Sequence, residues 1–311
     1  MFAGRQNNAS ASRGNPSPSV FSRRIRLKSR KTSSAALTFT GAVCSNRQVP
    51  GDEIRAVANN LLEALRFFGQ ARHDSEIRDL PGVSLIFCGL NYAAFNAALL
   101  AQPIDGDARE LSRLIAVPAA QFDARSLRWT YWFCEDFLSK ALRREAPRIF
   151  SQHGLRPLTE APGMYAERLF SPQRTLPSIT VRRVDDESSR AAFAEIMSSA
   201  FEIPLAISNA VYGSQRAWRS SFHGYVGYSN GKAVTTAAGV CTGDVIGLYS
   251  VATLPQHRRL GFAEAIMRHL VDEARQAGVQ RAVLQSTASG LSLYERMGFR
   301  TVTKFNVYIA G

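Results

Sequence analysis

Leu248-Tyr249-Ser250-Val251-Ala252-Thr253-Leu254-Pro255-Gln256-His257-Arg258-Arg259-Leu260-Gly261-Phe262-Ala263 is the stretch that decides the fold of this 311-residue chain. It begins as a largely apolar strand and passes through a short loop. It then enters a segment in which Ala263, Ile266, Met267, Leu270, Val271 and Ala274 share one helical face. Gly278 follows as a natural C-cap. The loop therefore stands at a helix N-terminus, where first-turn N–H groups lack partners and the helix dipole adds positive potential, a setting made for an anion. Gly261 lets the backbone turn sharply and approach a ligand with no Cβ between them, and Ala263 is the next smallest choice. Arg258 and Arg259 add charge suited to a pyrophosphate.

Upstream, Asn230-Gly231 is a hairpin turn between strands at 224–229 and 233–241, and 245–253 makes a third strand. A polar and aromatic helical stretch covers 205–218. Before it, Phe193, Ile196, Met197 and Ala200 line one face of a helix capped by Asp185 or Asp186. A strand at 179–184 follows a linker at 168–177 that contains Pro172 and Pro177. Downstream, a strand at 282–286 precedes Ser289-Gly290-Leu291-Ser292-Leu293-Tyr294-Glu295-Arg296-Met297-Gly298-Phe299 and a last strand running to Ile309.

Arg258-x-x-Gly261-x-Ala263, set after a strand and before a helix, resembles the Gln/Arg-x-x-Gly-x-Gly/Ala signature of the GNAT superfamily of N-acetyltransferases. The leucine–tyrosine pair Leu293-Tyr294 ahead of Gly298-Phe299 resembles the C-terminal half of the same family, so the likeness covers 179–311. It implies an α/β (α+β) GNAT fold, a mixed central sheet flanked by helices, and transfer of an acetyl group from acetyl-CoA to an amine by direct attack. It also implies that backbone at Arg258, Arg259, Leu260, Gly261, Phe262 and Ala263 holds the coenzyme pyrophosphate, and that Val251, Ala252 and Thr253 meet the pantetheine arm. Tyr294 becomes the acid that protonates the leaving thiolate, or a residue that only packs against the cofactor. No metal is implied. No general base is assigned, because Tyr249 and Ser250 occupy the expected positions and Asp244 lies at the strand's far start; His223 and His257 are possible proton shuttles. Two other functions compete: an acyl-CoA-binding regulator without transfer, and a nucleic-acid-binding protein.

The N-terminal half opens on a helix with Asp52 as cap and Ile54, Val57, Ala58, Leu61, Leu62 and Leu65 at helical spacing. Strands at 83–88 and 127–133 enclose a helical stretch at 107–115. Phe150-Ser151-Gln152-His153-Gly154-Leu155-Arg156 overlays Tyr294-Glu295-Arg296-Met297-Gly298-Phe299-Arg300 at a constant offset of 144. This reads as a chance match or as a degenerate GNAT-like domain at 52–176 that precedes the catalytic one at 177–311 and has Phe150 in place of Tyr294. Its counterpart of the phosphate loop is expected at 114–119. Trp129, Tyr131 and Trp132 either line an acceptor pocket or pack in a core.

Charge decides little about the body of the protein. The net +13 is concentrated in 1–51, which carries nine Lys or Arg and no acid, leaving 29 basic against 25 acidic residues in 52–311. That leader is a disordered tail by composition, a targeting segment, or an arm for RNA, DNA or membrane. Deleting it separates the nucleic-acid reading from the transferase reading. Cys44, Cys88, Cys134 and Cys241 form no Cys-x-x-Cys pair and are expected to be reduced. No run approaches the ~18 apolar residues of a membrane helix. The expectation is a soluble, cytoplasmic protein, or an organellar one if the leader targets it. An amine-bearing small molecule or peptide is its partner, and neither a membrane nor, in the main reading, nucleic acid is.

Overall fold

The computed structural model describes residues 51–310, so the basic leader lies outside the described residues except for Gly51, and Cys44 lies outside with it. The N-terminal part comprises α1 (Asp52–Leu65), β1 (Glu76–Leu80), β2 (Val83–Phe87), β3 (Ala97–Leu100), α2 (Ala108–Asp123), β4 (Thr130–Cys134), α3 (Lys140–Gln152) and β5 (Leu155–Ala166). The rest comprises β6 (Thr180–Arg183), α4 (Glu187–Phe201), α5 (Leu205–Tyr212), β7 (Phe222–Ser229), β8 (Lys232–Thr242), β9 (Val245–Thr253), α6 (Phe262–Gln276), β10 (Arg281–Gln285), α7 (Leu291–Met297) and β11 (Arg300–Ala310). All eleven strands join one mixed sheet in the order β1-β2-β3-β4-β11-β5-β10-β9-β8-β7-β6.

Each half runs through antiparallel strands (β1 to β3 in the first, β6 to β9 in the second), a helix, a strand parallel to the one before that helix, a second helix and a last strand. The last strands change places. β5 lies antiparallel between β10 and β11, and β11 lies between β4 and β5. The linker at 168–177 contains no helix or strand, but the sheet and core pass across it: Val245, Val283, Phe305 and Tyr308 share a core with Leu85, Phe122 and Phe150. Gly154 (φ +73°) and Gly298 (φ +103°) both turn the chain left-handed from a helix into the exchanged strand, so the two residues overlaid at offset 144 have the same backbone task.

Two expectations are corrected, and for Trp129 and Tyr131 the structure decides in favour of core packing. Residues 114–119 are not a loop but the middle of α2, and the turn between β3 and α2 is 101–107. Pro118 inside that helix leaves the Leu114 carbonyl without its N–H donor, and the Tyr131 hydroxyl supplies one at 3.3 Å. Trp129 and Tyr131 do not line a pocket: both are buried, with Trp129 stacked on Phe122 at 4.7 Å, while the Trp132 indole N–H donates to Thr130 on its own strand. Asp52 is the first helical residue rather than the cap, a position taken by Gly51. Asp186, by contrast, caps α4 in a reciprocal box with Ser189.

Asn60 fixes α1 against the sheet that carries the site. Fully buried, it donates to the Val240 carbonyl (3.0 Å) and Thr242 Oγ1 (2.8 Å), and accepts from the Tyr249 hydroxyl (2.7 Å). A buried amide is tolerable only when satisfied in this way. Gly247 makes room for it, since a Cβ there would overlap Asn60 Oδ1.

Burial also sets an alkaline limit. It raises Tyr131, Tyr212, Tyr225 and Tyr249 above the ordinary phenol range, pushes the Cys88 thiol up to about 12, and pushes Cys134 and Cys241 up to about 11. A pKa raised by folding adds stability that is complete below the unfolded value, about 8.5 for Cys and about 10 for Tyr, and is lost as pH rises beyond it. The urea midpoint is therefore expected to hold at pH 7–8 and fall steadily from about pH 9 upward; a midpoint unchanged to pH 11 would contradict this burial pattern.

Candidate active site

The parallel strands β9 and β10 pair only at Arg281↔Val245, Ala282↔Ile246 and Val283↔Gly247. Beyond Gly247 the β10-facing backbone of β9 has no strand partner among the described residues, so a strand edge from 248 to 253 is left open to a ligand amide. A bulge in the same strand reinforces the opening: its register with β8 slips between Tyr249 and Ala252, and Ser250 takes a left-handed φ of +48°. Thr236 Oγ1 donates to the Ser250 carbonyl (2.9 Å) and Thr235 Oγ1 to the Ala252 carbonyl (2.7 Å), which fixes Val251, Ala252 and Thr253 beyond the bulge.

Strand β9 leads directly into the loop that opens α6. Positive φ at Arg259 (+63°) and Gly261 (+97°) curls the chain tightly into the first turn, and among the described residues no side chain caps that helix. Its first N–H groups, at Phe262, Ala263 and Glu264, are thus free for an anion. Phe262 is buried and anchors the turn, whereas Arg258, Arg259 and Leu260 are exposed. Arg258 differs from expectation in its use. Its guanidinium donates to the carbonyls of Thr253 (3.3 Å) and Ala200 (3.2 Å), tying the loop to β9 and to the end of α4.

Residues 190–299 match the family model described as the acetyltransferase (GNAT) family. Residues 190–299 thus carry a GNAT-family domain. The [ribosomal protein bS18]-alanine N-acetyltransferases of Escherichia coli K12 and Shigella flexneri are 34% identical to it over 77 residues, 24% of this chain and 52% of theirs. The chain thus spans about half the length of these curated relatives. A GCN5-related N-acetyltransferase from Kribbella flavida has a similar fold over 84% of this chain and 96% of its own, with a TM-score of 0.62 at 17% identity. One from Sphaerobacter thermophilus matches over the same shares with a TM-score of 0.52, also at 17% identity. The resemblance in fold extends well beyond 190–299, so the N-terminal half is part of the architecture these two structures share.

Within this GNAT fold Tyr294 lies on α7, half-buried, its ring against Gly290: a Cβ there would come within 2.8 Å of the ring. Burial pushes the phenol up to about 12, so it stays protonated through the physiological range. The two histidines considered as shuttles are engaged elsewhere. His223 shares a 2.9 Å hydrogen bond with Arg183 and is pushed down to about 4 by burial and then by that guanidinium, and His257 packs edge-on against Phe262.

The corresponding turn in the N-terminal half is closed to an anion by its own chemistry. Asp107 caps α2 by accepting from the N–H groups of Arg109 (2.9 Å) and Glu110 (3.2 Å), so a carboxylate already occupies the place where a phosphate would bind. Phe150, the counterpart of Tyr294, is fully buried between Phe133 and Tyr308.

Two residues beside the loop carried no sequence assignment. Arg174 of the linker donates to the Arg259 carbonyl at 3.1 Å, and Arg296 stands in the last turn of α7. With Gln173, Arg259 and Glu264 they line a cavity of about 420 Å³. The one available sign was the charge of the linker, where 168–177 contains two arginines and no acid.

Proposed function

We propose that this chain is an acetyl-CoA-dependent N-acetyltransferase whose catalytic site lies between β9, β10, the 254–261 loop and α7. The observation that carries the proposal is the continuity of the open β9 edge with the uncapped N-terminus of α6. Together they offer backbone hydrogen bonds to an amide-containing arm and then to a pyrophosphate. The backbone from Arg259 to Ala263 would hold the pyrophosphate, Val251 to Thr253 would meet the pantetheine amides, and Arg258 supports the loop. The coenzyme supplies the acetyl group as an activated thioester.

An amine of the acceptor, in its neutral form, attacks the acetyl carbonyl. The C–N bond forms, the C–S bond breaks, Tyr294 gives its proton to sulfur, and the proton lost from nitrogen returns to the phenolate through solvent. A phenol at about 12 is a weaker acid than an ordinary thiol of about 8.5, so donation is uphill unless it accompanies C–S cleavage. Concerted donation is therefore the chemistry this residue supports. A protein-borne alanine amine is the first acceptor class to test, given the activity named for the curated relatives.

The test is calorimetric titration of the full chain with acetyl-CoA, followed by thiol release in the presence of alanine-ended peptides and small amines. Micromolar binding with amine-dependent thiol release is expected. Binding without release under any amine would favour an acyl-CoA-binding regulator, and no binding would remove the proposal.

A further inference from the structure

The linker is fastened over the phosphate loop. The Phe170 N–H donates to the Met297 carbonyl (2.8 Å), Arg268 donates to the Phe170 carbonyl (2.7 Å), and Arg174 reaches the Arg259 carbonyl. A Cβ at Gly261 would meet Pro177 Cδ at 3.0 Å and Arg174 Nη2 at 3.3 Å, so the linker lies directly on the glycine that opens α6. Tight linker packing, together with the φ of +97°, accounts for glycine here independently of any ligand.

The charge of the adjoining cavity is unbalanced. Its single carboxylate, Glu264, is engaged by Arg268 at 2.7 Å. Among the described residues no carboxylate lies within ion-pair distance of Arg174, Arg259 or Arg296. Three exposed guanidiniums from three separate elements line this cavity beside an uncapped helix N-terminus, a concentration of positive charge that attracts an anion. The pyrophosphate assigned to the loop accounts for the backbone N–H groups and Arg259. Arg174 and Arg296 stand outside the loop, on the linker and on α7.

On the reading that the loop binds coenzyme A, we propose that Arg174 and Arg296 hold the phosphate ester on the coenzyme's ribose, making the linker between the two halves part of the cofactor site. A phosphate monoester carries about two negative charges at neutral pH and three acceptor oxygens, matching two planar guanidiniums. The protein then distinguishes coenzyme A from its 3′-dephospho form, a selectivity that the loop alone cannot provide.

Calorimetry on the full chain with acetyl-CoA and with 3′-dephospho-acetyl-CoA tests this in wild type, Arg174→Gln and Arg296→Gln. Wild type should bind the dephospho ligand about ten- to a hundred-fold more weakly, the range of one to two charge-assisted hydrogen bonds. Arg296→Gln should weaken acetyl-CoA binding and leave dephospho-acetyl-CoA binding unchanged within about two-fold, and Arg174→Gln, which also loses the bond to the Arg259 carbonyl, should weaken acetyl-CoA binding more than dephospho-acetyl-CoA binding. Equal wild-type affinity for the two ligands, or an equal loss of both in the variants, would overturn the inference while leaving cofactor binding itself intact. If wild type binds neither ligand, the inference and the reading beneath it fall together.

Discussion

Tyr294→Phe is expected to lower the turnover number by about 10²–10⁴-fold, the usual contribution of a positioned proton donor, while acetyl-CoA affinity stays within about two-fold of wild type. The reason for separating the two quantities is geometric. The ring packs against Gly290 and makes an edge contact with Phe299 at 6.2 Å, and both contacts survive removal of the hydroxyl. Phenylalanine therefore keeps the shape of α7 and removes only the hydroxyl that carries the proton. Single-turnover measurement of thiol release is the appropriate assay, because it isolates C–S cleavage from product release. A turnover number within about three-fold of wild type would show that Tyr294 only packs against the cofactor.

Phe150→Ala should be the most damaging single change in the N-terminal half and should unfold both halves together. Phe150 is fully buried, stacked on Tyr308 at 4.0 Å and on Phe133 at 5.4 Å, with Tyr131 edge-on at 5.1 Å. Removing a core aromatic costs about 3–5 kcal/mol, a large share of the ~5–15 kcal/mol that holds a domain folded. Tyr308 belongs to β11, the last strand of the C-terminal half, which lies between β4 and β5. The loss is thus transmitted to the strand that follows α7. With an m-value near 3 kcal/mol/M in urea, the midpoint should drop by about 1 M or more. Trp129 and Trp132 lie in the N-terminal half, and Trp218 lies in the C-terminal half with Phe67 of the other half edge-on to it at 5.1 Å, so fluorescence of Trp218→Phe and of Trp129→Phe/Trp132→Phe chains follows the N-terminal core and the shared core in turn. Coincident midpoints, both lowered by Phe150→Ala, are expected. Two separate transitions would mean that the halves fold independently despite the exchanged strands.

Elements whose signal is local were legible in the sequence. The apolar stripe of α6, the capping aspartate of α4 and the Asn230-Gly231 turn between β7 and β8 each depend on residues within a few positions of one another, and each forms where its pattern lies. The glycine that opens α6 was legible for the same reason. Strands lacking such a pattern were not. β1 is half-exposed with only Ile77 and Leu80 apolar, β3 is four residues long, and β5 contains Pro157 and Pro162, which argue against an interior strand. The sheet tolerates them because Pro157 falls at a register shift against β11 and Pro162 lies just beyond the last residue of β5 that pairs with β10.

The sequence by itself determined that a strand, an uncapped glycine turn and an amphipathic helix follow one another at 245–276, and that tyrosine stands where the other half has phenylalanine. These are facts of composition at fixed spacing, and no distant contact alters them. Only the tertiary structure decided that β5 and β11 exchange places, that Arg258 ties down the loop, and that Arg174 lies over Gly261 from 87 positions earlier in the chain. It also decided that Asp107 closes the corresponding turn in the N-terminal half. Side-chain use of this kind depends on which partner arrives across the sheet, and hydrophobic periodicity carries no record of it, because a guanidinium or carboxylate at a given position satisfies the same pattern whether it meets solvent, a backbone carbonyl or a phosphate.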